Sequence, residues 1–295
     1  MKVLVTGGTG FVGSALCKEL TARGHDVTAL ARSPDDAALP EGVNTVRGNV
    51  TAYDSIEGAF EGQDAVVNLV ALSPLFKPKG GLSHEKVHLG GTRNVVKAAK
   101  EHGVSKIVQQ SALGADPNGP TAYIRTKGQA EQVVRDSGLD WVIFRPSIIF
   151  GDGGEFISFT KSLTTPVVTA LPGANTAKFQ PIWIGDFVPM LADAVDDDAH
   201  VGHVYEIGGP EVLTLGDVTR LIYQSKGKSV SVVPVPLSLV KVGATITAPL
   251  PFIPFGPDQA RSLKLDNTTS ENDINAFGVS ESDLTTLGTY LRENQ

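Results

Sequence analysis

Tyr123 and Lys127 are a pair of residues that could move a proton. They are four positions apart, so on a helix both side chains project from the same face. A lysine ammonium beside a phenol favours the phenolate and lowers its pKa, which makes tyrosine a usable general acid or base for interconverting a carbonyl and an alcohol. Ser111 ends a strand-like run and could hold the substrate oxygen by a hydrogen bond. We therefore predict Ser111, Tyr123 and Lys127 as catalytic residues, with a helix or turn cap as the alternative role of Ser111.

A glycine-rich turn near the amino terminus could bind the phosphates of a nucleotide. It lies between a strand-like run and a helix-like pattern, and it reads Thr6-Gly7-Gly8-Thr9-Gly10-Phe11-Val12-Gly13. Glycines let the backbone turn tightly and approach a pyrophosphate, and the N-terminus of the following helix offers unpaired N–H groups. The residues predicted to bind the cofactor here are Thr6, Gly7, Gly10, Phe11, Val12 and Gly13. A purely structural tight turn is the alternative.

The end of the second strand indicates which dinucleotide is preferred. A site for NAD usually carries Asp or Glu there to bind the ribose hydroxyls, whereas this chain has Ala31 and Arg32. A guanidinium pairs with a 2′-phosphate, so the sequence predicts NADP(H) over NAD(H). Arg32 as a solvated loop cation is the alternative. Asn49, after the third strand, is a further predicted cofactor residue that could contact the adenine.

Six short apolar runs alternate with helical periodicity in the first half of the chain, which predicts an α/β fold with a doubly wound parallel (Rossmann) sheet. The predicted strands are Val3 to Val5, Val27 to Leu30, Val43 to Val46, Ala65 to Leu69, Ile107 to Gln109 and Trp141 to Phe144. The predicted helices are Val12 to Thr21, Ser55 to Phe60, Glu85 to Lys100 and Tyr123 to Arg135. Residues 1–150 are expected to form the dinucleotide-binding domain, with a returning segment at about 183–208 that includes a strand at Val204 to Ile207. A smaller, discontinuous substrate-side subdomain is expected from residues 151–182 and 209–295.

The composition excludes several classes of function. The formal net charge is -7 and no stretch is basic, so nucleic acid is not an expected partner. Cys17 is the only cysteine and the six histidines show no ligand spacing, so neither a disulfide framework nor a metal site is predicted. The strand begins at Lys2, which leads us to expect no targeting segment and a cytoplasmic protein.

The segment from Val235 to Phe255 is apolar but divided by prolines, and it contains Lys241. It is therefore not expected to be a plain membrane span. We expect a short helix and loop that cover the substrate cleft, or that contact a lipid, a quinone-like partner or a membrane complex at the membrane periphery. Core packing is the remaining alternative.

Several motifs, taken in order, carry a resemblance to a known family. Besides the glycine turn and the Ser111, Tyr123 and Lys127 set, they are Ser111-Ala112-Leu113-Gly114-Ala115, Arg145-Pro146-Ser147-Ile148-Ile149-Phe150-Gly151, Gln180-Pro181-Ile182-Trp183-Ile184-Gly185-Asp186 and Tyr205-Glu206-Ile207-Gly208-Gly209-Pro210. The chain resembles the extended short-chain dehydrogenases, and among them the atypical subgroup of the NADPH-binding accessory subunit of mitochondrial respiratory complex I and its prokaryotic relatives. The family pattern has an asparagine of the proton relay where this chain has His88.

Three functions are consistent with this resemblance. The first is an NADP(H)-dependent oxidoreductase acting on a carbonyl or alcohol of a small substrate, for which the apolar segment favours a hydrophobic molecule. In this enzyme Tyr123 would shuttle the proton, Lys127 would lower the pKa of Tyr123 and hold the ribose, and Ser111 would position the substrate. The second is a non-catalytic NADPH-binding subunit or assembly factor of a respiratory NADH-quinone oxidoreductase complex. The third is a nucleotide-sugar epimerase. The sequence determines neither the substrate nor the oligomeric state.

Overall fold

The computed structural model describes residues 1–36, 38–76, 78–235, 261–262 and 264–294. The strands of the described residues are β1 Lys2–Thr6, β2 Asp26–Ala31, β3 Asn44–Arg47, β4 Ala65–Asn68, β5 Lys106–Gln110, β6 Asp140–Pro146, β7 Ile149–Phe150, β8 Val167–Pro172, β9 Lys178–Phe179, β10 Ile182–Trp183, β11 Val204–Ile207, β12 Leu213–Thr214 and β13 Val230–Val235. The α-helices are α1 Phe11–Ala22, α2 Gly91–Glu101, α3 Ala122–Arg135, α4 Glu155–Ser162, α5 Ile184–Asp196, α6 Leu215–Ser225 and α7 Leu287–Glu293.

The chain folds into two compact units. The first consists of Met1–Leu72, Pro78–Pro146 and Ile184–Glu206, and the second takes Ser73–Lys77, Ser147–Trp183 and Ile207–Gln295. The assignment of these units as a dinucleotide-binding domain and a substrate-side subdomain stays a prediction. The short piece 73–77 was not expected to leave the first unit.

A seven-stranded sheet with the order β11-β6-β5-β4-β1-β2-β3 organises the first unit. The five pairings from β6 to β3 are parallel, so the carboxyl ends of these strands meet at one edge of the sheet. The predicted doubly wound α/β fold and its six strands are confirmed, and the returning strand β11 lies at the edge beside β6.

Helices bury their apolar stripes against this sheet. On one face, Leu4, Val66 and Ile107 of the strands share a core cluster with Val95 and Ala99 of α2. Leu16, Cys17 and Leu20 are the buried residues in the body of α1, whose apolar positions recur at helical spacing. Each Å² of apolar surface that is removed from water stabilises the folded state by about 25 cal/mol, so this burial is the main contribution to the stability of the unit.

Two of the predicted helices differ from the structure. Residues from Ser55 to Phe60 form no α-helix; the chain makes two short 3-10 turns, Tyr53–Ser55 and Glu57–Phe60. The long helix expected over Glu85 to Lys100 is divided into a π-helical turn, Glu85–Gly90, and α2. A π turn places one more residue in each hydrogen-bonded ring, which is unfavourable by itself and often marks a functional site. His88 lies in this turn.

Among its described residues, the second unit has its own apolar core and three two-stranded sheets, β10-β7, β12-β9 and β13-β8. Phe150 and Phe156 pack with Ile222 of α6 and with Leu287 and Leu291 of α7. Helix α6 starts at a capping box, in which Thr214 and Asp217 satisfy each other's backbone N–H groups.

Within the described part of the chain, no helix is long and apolar enough to cross a membrane. Residues 236–260, and with them all but the first residue of the segment from Val235 to Phe255, lie outside the described residues.

Candidate functional site

The glycine turn connects β1 to α1 in the conformation that phosphate binding needs. Gly7 has φ of 78°, a left-handed conformation that suits glycine, and its N–H donates to the Leu30 carbonyl over 2.8 Å. A Cβ on Gly13 would lie 2.1 Å from the Gly7 carbonyl oxygen, so only glycine lets the helix start this close to the strand. Gly10 is the N-cap of α1 and offers no side-chain cap, which leaves the helix N-terminus available to a phosphate. The turn therefore fits a pyrophosphate.

A cavity of about 230 Å³ opens beside this turn, entirely within the first unit. Four of the predicted cofactor residues line it together: Gly7, Gly10, Arg32 and Asn49. Most of its other walls come from residues directly after β3 and β4, so it lies at the carboxyl edge of the sheet, where dinucleotides bind in this class of fold. Phe11, Val12 and Gly13 are at the start of α1 and are not among the residues that line this cavity.

Arg32 and Asn49 present different chemistry to the cavity. The Arg32 side chain is exposed and has no hydrogen bond or ion pair to any described residue. Asn49 is half-buried, and its Oδ1 accepts from the backbone N–H of Thr51 over 3.1 Å and from the Thr51 hydroxyl over 3.0 Å. Since a backbone N–H can only donate, the Asn49 amide NH₂ is the group left for a ligand.

Thr6 lies below the turn and takes a different role from the one expected. It is fully buried, and its hydroxyl donates to Asn68 Oδ1 over 2.6 Å. The Asn68 amide in turn donates to Gln109 Oε1 over 2.8 Å and to Thr92 over 3.3 Å. Thr6, Asn68 and Gln109 are partners in register on β1, β4 and β5, so this buried polar row ties the strand ends together. The side chain of Thr6 supports the site from within.

Helix α3 carries the tyrosine and lysine. Thr121 is its N-cap and accepts from the backbone N–H of Ile124, an arrangement that stabilises a helix by about 1 kcal/mol. Tyr123 contacts two histidine rings edge to face, His84 at 5.6 Å and His88 at 5.4 Å between centroids. Burial raises the pKa of Tyr123 to about 12. The lowering expected from Lys127 is wrong for this arrangement, because burial opposes ionisation of the phenol and outweighs any help from a neighbouring charge.

Lys127 is one of the largest fully buried side chains of the protein. Its Nζ donates to the Gln110 backbone carbonyl, at the end of β5, over 2.9 Å. Burial lowers its pKa to about 8, against an opposing effect of Glu131. An ammonium has three donors, so two remain after the bond to Gln110 and could serve the hydroxyls of a ribose.

Ser111 is committed to a carboxylate. It is 2% exposed, and its hydroxyl donates to Glu131 Oε1 over 2.5 Å. Arg145, at the end of β6, donates to both oxygens of Glu131, over 2.9 and 2.8 Å, and also pairs with Glu206 at 3.3 Å. A hydroxyl has one proton, so in this arrangement Ser111 keeps only lone pairs and cannot donate to a substrate carbonyl. The role expected for Ser111 as a donor therefore requires the bond to Glu131 to break.

His88 occupies the position of the relay asparagine in the resembled family. Its Nε2 is 2.9 Å from the backbone N–H of Leu72, and its Nδ1 is 3.1 Å from the Thr126 hydroxyl of α3. Burial, with contributions from Lys127 and His84, lowers its pKa to about 2. His88 is thus an uncharged imidazole with both nitrogens engaged.

Sequence reasoning missed Glu131 and Asn68. Glu131 is eight residues after Tyr123 and four after Lys127, so helical spacing places it near the same face, and that signal was available. Asn68 ends β4 inside a buried run, and a polar residue at such a position must find partners. Neither residue belongs to a motif that names its role.

The family model described as NAD(P)H-binding matches residues 7–179, more than half of the chain. The chain belongs to this NAD(P)H-binding family. Its cofactor class is accordingly NAD(P)H, and the relatives below agree with the extended short-chain dehydrogenase type of oxidoreductase indicated by the motifs.

The chain is similar to two curated relatives in sequence and to one solved structure in fold. It is 27% identical over 91% of its length to NADH dehydrogenase [ubiquinone] 1 alpha subcomplex subunit 9, mitochondrial, of Arabidopsis thaliana, of which 71% is covered. It is 35% identical over 52% of its length to 2-alkyl-3-oxoalkanoate reductase of Stenotrophomonas maltophilia, and it spans about half of that enzyme, 53%. The UDP-glucose 4-epimerase of Thermus thermophilus, solved with NAD, shares the fold with a TM-score of 0.73 at 23% identity, over 99% of this chain and 97% of that one. The first similarity confirms the resemblance to the complex I subunit and its relatives.

Proposed function

We propose that this protein is an NADP(H)-dependent oxidoreductase that reduces a carbonyl of a small, hydrophobic substrate. The observation that carries the proposal is the pairing, on one helix beside the carboxyl edge of the sheet, of Tyr123 with the buried Lys127, whose Nζ is bonded to the end of β5. The same unit holds the cavity lined by the glycine turn. The hydrophobic substrate class is supported by the apolar segment from Val235 to Phe255 in the sequence.

The chain's residues divide the work of a carbonyl reduction. The reduced nicotinamide that the glycine turn and Lys127 would hold would supply a hydride for the carbonyl carbon. Tyr123 donates its phenol proton to the carbonyl oxygen as the C=O bond becomes C–O. Because burial raises its pKa to about 12, Tyr123 is protonated at neutral pH and holds the proton that a carbonyl reduction requires. Lys127 holds the ribose and helps to return a proton to the phenolate, and Ser111 fixes the end of β5 through Glu131.

The preference for NADP(H) over NAD(H) is part of the proposal. It is supported by the exposed Arg32 at the cavity, and by the lack of an aspartate or glutamate among the residues that line this cavity. Asn49 offers its amide NH₂ to the adenine. The remaining glycine-turn residues, Phe11, Val12 and Gly13, supply backbone N–H groups to the pyrophosphate.

A second function has its own support. The commitment of Ser111 to Glu131 and the neutral His88 at the relay position favour a chain that binds NADPH without turning it over. The relative in Arabidopsis thaliana is by name a subunit of an NADH dehydrogenase, so a non-catalytic subunit or assembly factor of a respiratory complex is the alternative. We place either function in the cytoplasm, with contact to a membrane complex in the second case.

Two measurements on the purified protein test the proposal. The native mass and absorbance show whether a nicotinamide cofactor co-purifies and whether it carries the 2′-phosphate. A panel of ketones and quinones is then tested for NADPH oxidation, and nucleotide sugars are tested for conversion to their epimers, which consumes no NADPH. Oxidation with a ketone or quinone supports a reductase, and turnover of a nucleotide sugar supports the epimerase reading instead. Tight NADPH binding with no oxidation on any acceptor replaces the enzyme by the binding subunit.

A further inference from the structure

His88 joins three pieces of the first unit. It lies in the π-helical turn Glu85–Gly90, accepts a hydrogen bond from the backbone N–H of Leu72 in the segment after β4, and contacts Thr126 on α3. Leu72 and Val87, the residue before His88, both line the cofactor cavity. The ring of His88 also packs against Tyr123. One buried side chain therefore links the wall of the cofactor cavity to the helix of the proposed acid.

The hydrogen bonds determine where the proton on His88 is. The Leu72 backbone N–H can only donate, so His88 Nε2 must carry a lone pair. The Thr126 hydroxyl gives its own proton to the Ala122 carbonyl over 2.7 Å, so its oxygen can accept from a protonated Nδ1. The three hydrogen bonds therefore run in one direction: Leu72 donates to His88, His88 donates to Thr126, and Thr126 donates to Ala122. An imidazolium, or the tautomer with hydrogen on Nε2, would set two N–H groups against each other at 2.9 Å.

We propose that His88 is a positioning residue: a neutral imidazole, protonated on Nδ1, that clamps the cavity segment ending at Leu72 to the tyrosine helix. It does not take the place of the family's asparagine in a proton relay. The inference rests on the proposed function only in so far as Tyr123 is taken as the acid. The charged and titratable groups that surround His88 agree with a neutral ring, because His84, the N-cap of the same turn, and Lys127, on α3, both disfavour an added positive charge.

The protonation state can be read from the intact protein without any substrate. Protein labelled with ¹⁵N in its histidines is examined by long-range ¹H–¹⁵N correlation, and the His88 signals are identified by their absence in His88→Asn. We expect a protonated Nδ1 and an unprotonated Nε2 that stay unchanged from about pH 5 to 8. An Nε2–H tautomer, or an imidazolium within this range, overturns the proposal.

Two variants of Thr126 test the clamp itself. Thr126→Val keeps the shape but removes the acceptor for Nδ1, so the His88 signals should shift or broaden and the affinity for NADPH should fall about three- to tenfold. Thr126→Ser keeps the hydroxyl and is the matched control, with both properties retained. If Thr126→Val leaves the His88 signals and NADPH affinity unchanged, the clamp is wrong. If His88 keeps the Nδ1–H tautomer but the protein oxidises NADPH with no acceptor, the positioning role of His88 stands and the proposed reductase is wrong. If the protein oxidises NADPH but His88 has another tautomer, the proposed reductase stands and the positioning role is wrong.

Discussion

Replacing Arg32 by alanine is expected to remove most of the preference for NADPH over NADH. Arg32 is an exposed cation at the cavity, and the residues that line this cavity include no carboxylate to compete for it. A hydrogen bond to a charged group contributes about 1.5–3 kcal/mol. Exposure and screening by salt favour the lower end of this range, about 1.5 kcal/mol, which corresponds to about tenfold in affinity. NADH has no 2′-phosphate, so its affinity should stay the same.

Isothermal titration of both cofactors with wild type, Arg32→Ala and Arg47→Ala measures this effect. Arg47 is the matched control, because it is a nearby exposed arginine whose charge already pairs with Asp35 at 2.5 Å. Surface ion pairs contribute little, so Arg47→Ala should change NADPH affinity by about twofold at most. The tenfold loss in Arg32→Ala should shrink as salt is added. An equal loss of NADPH and NADH affinity in Arg32→Ala, or no loss of either, would refute the assignment of Arg32 to the 2′-phosphate.

Three further substitutions test the supports of the site. Gly13→Ala should abolish NADPH binding in titrations, because its Cβ would meet the Gly7 carbonyl at 2.1 Å. The control Gly58→Ala, whose Cβ has nothing within 4 Å, should bind NADPH normally. Tight binding by Gly13→Ala would contradict the geometry of the turn. Glu131→Gln should lower the free energy of unfolding, measured in urea, by about 2–4 kcal/mol, because it leaves Arg145 facing a neutral amide. The control Arg135→Gln, at the exposed end of the same cluster, should lower it by under about 1 kcal/mol. Equal losses in the two variants would argue against a buried Glu131–Arg145 pair. Folding lowers the pKa of Lys127 from 10.5 to about 8, so the unfolded state binds more protons than the folded state between these pH values. The difference in the free energy of unfolding between wild type and Lys127→Met should therefore rise with pH across that window. A difference that stays flat or falls would show that the ammonium is not desolvated.

The strands could be predicted because their residues leave few alternatives. Val3 to Val5 and Ala65 to Val67 are buried on both faces of a parallel sheet, so the run of apolar residues itself determines the element. The glycine turn was likewise predictable, since its backbone conformation and close packing exclude other residues. The NADP(H) preference and the catalytic roles stay predictions, because they depend on a ligand that the apolar pattern does not specify.

The parts that could not be predicted depend on side chains that meet only in the folded chain. The commitment of Ser111 to Glu131 needs β5, β6 and α3 in their final places before Arg145 can complete the cluster. The π turn at His88 is a local departure from helical periodicity, and no spacing in the sequence marks it. The direction of the Tyr123 pKa was misjudged for the same reason. The raised pKa comes from desolvation in the folded chain, a tertiary property that the helical spacing of Tyr123 and Lys127 does not reveal.

The most direct test of the proposed function is single-turnover oxidation of bound NADPH by wild type and by Tyr123→Phe, on the acceptor that the panel identifies. Phenylalanine keeps the ring that packs against His84 and His88 and removes only the proton donor. If Tyr123 is the acid, the variant should bind NADPH as the wild type does and lose about 10²–10⁴-fold in the rate of oxidation. Equal rates in the two proteins, with NADPH bound equally well, would contradict the role of Tyr123.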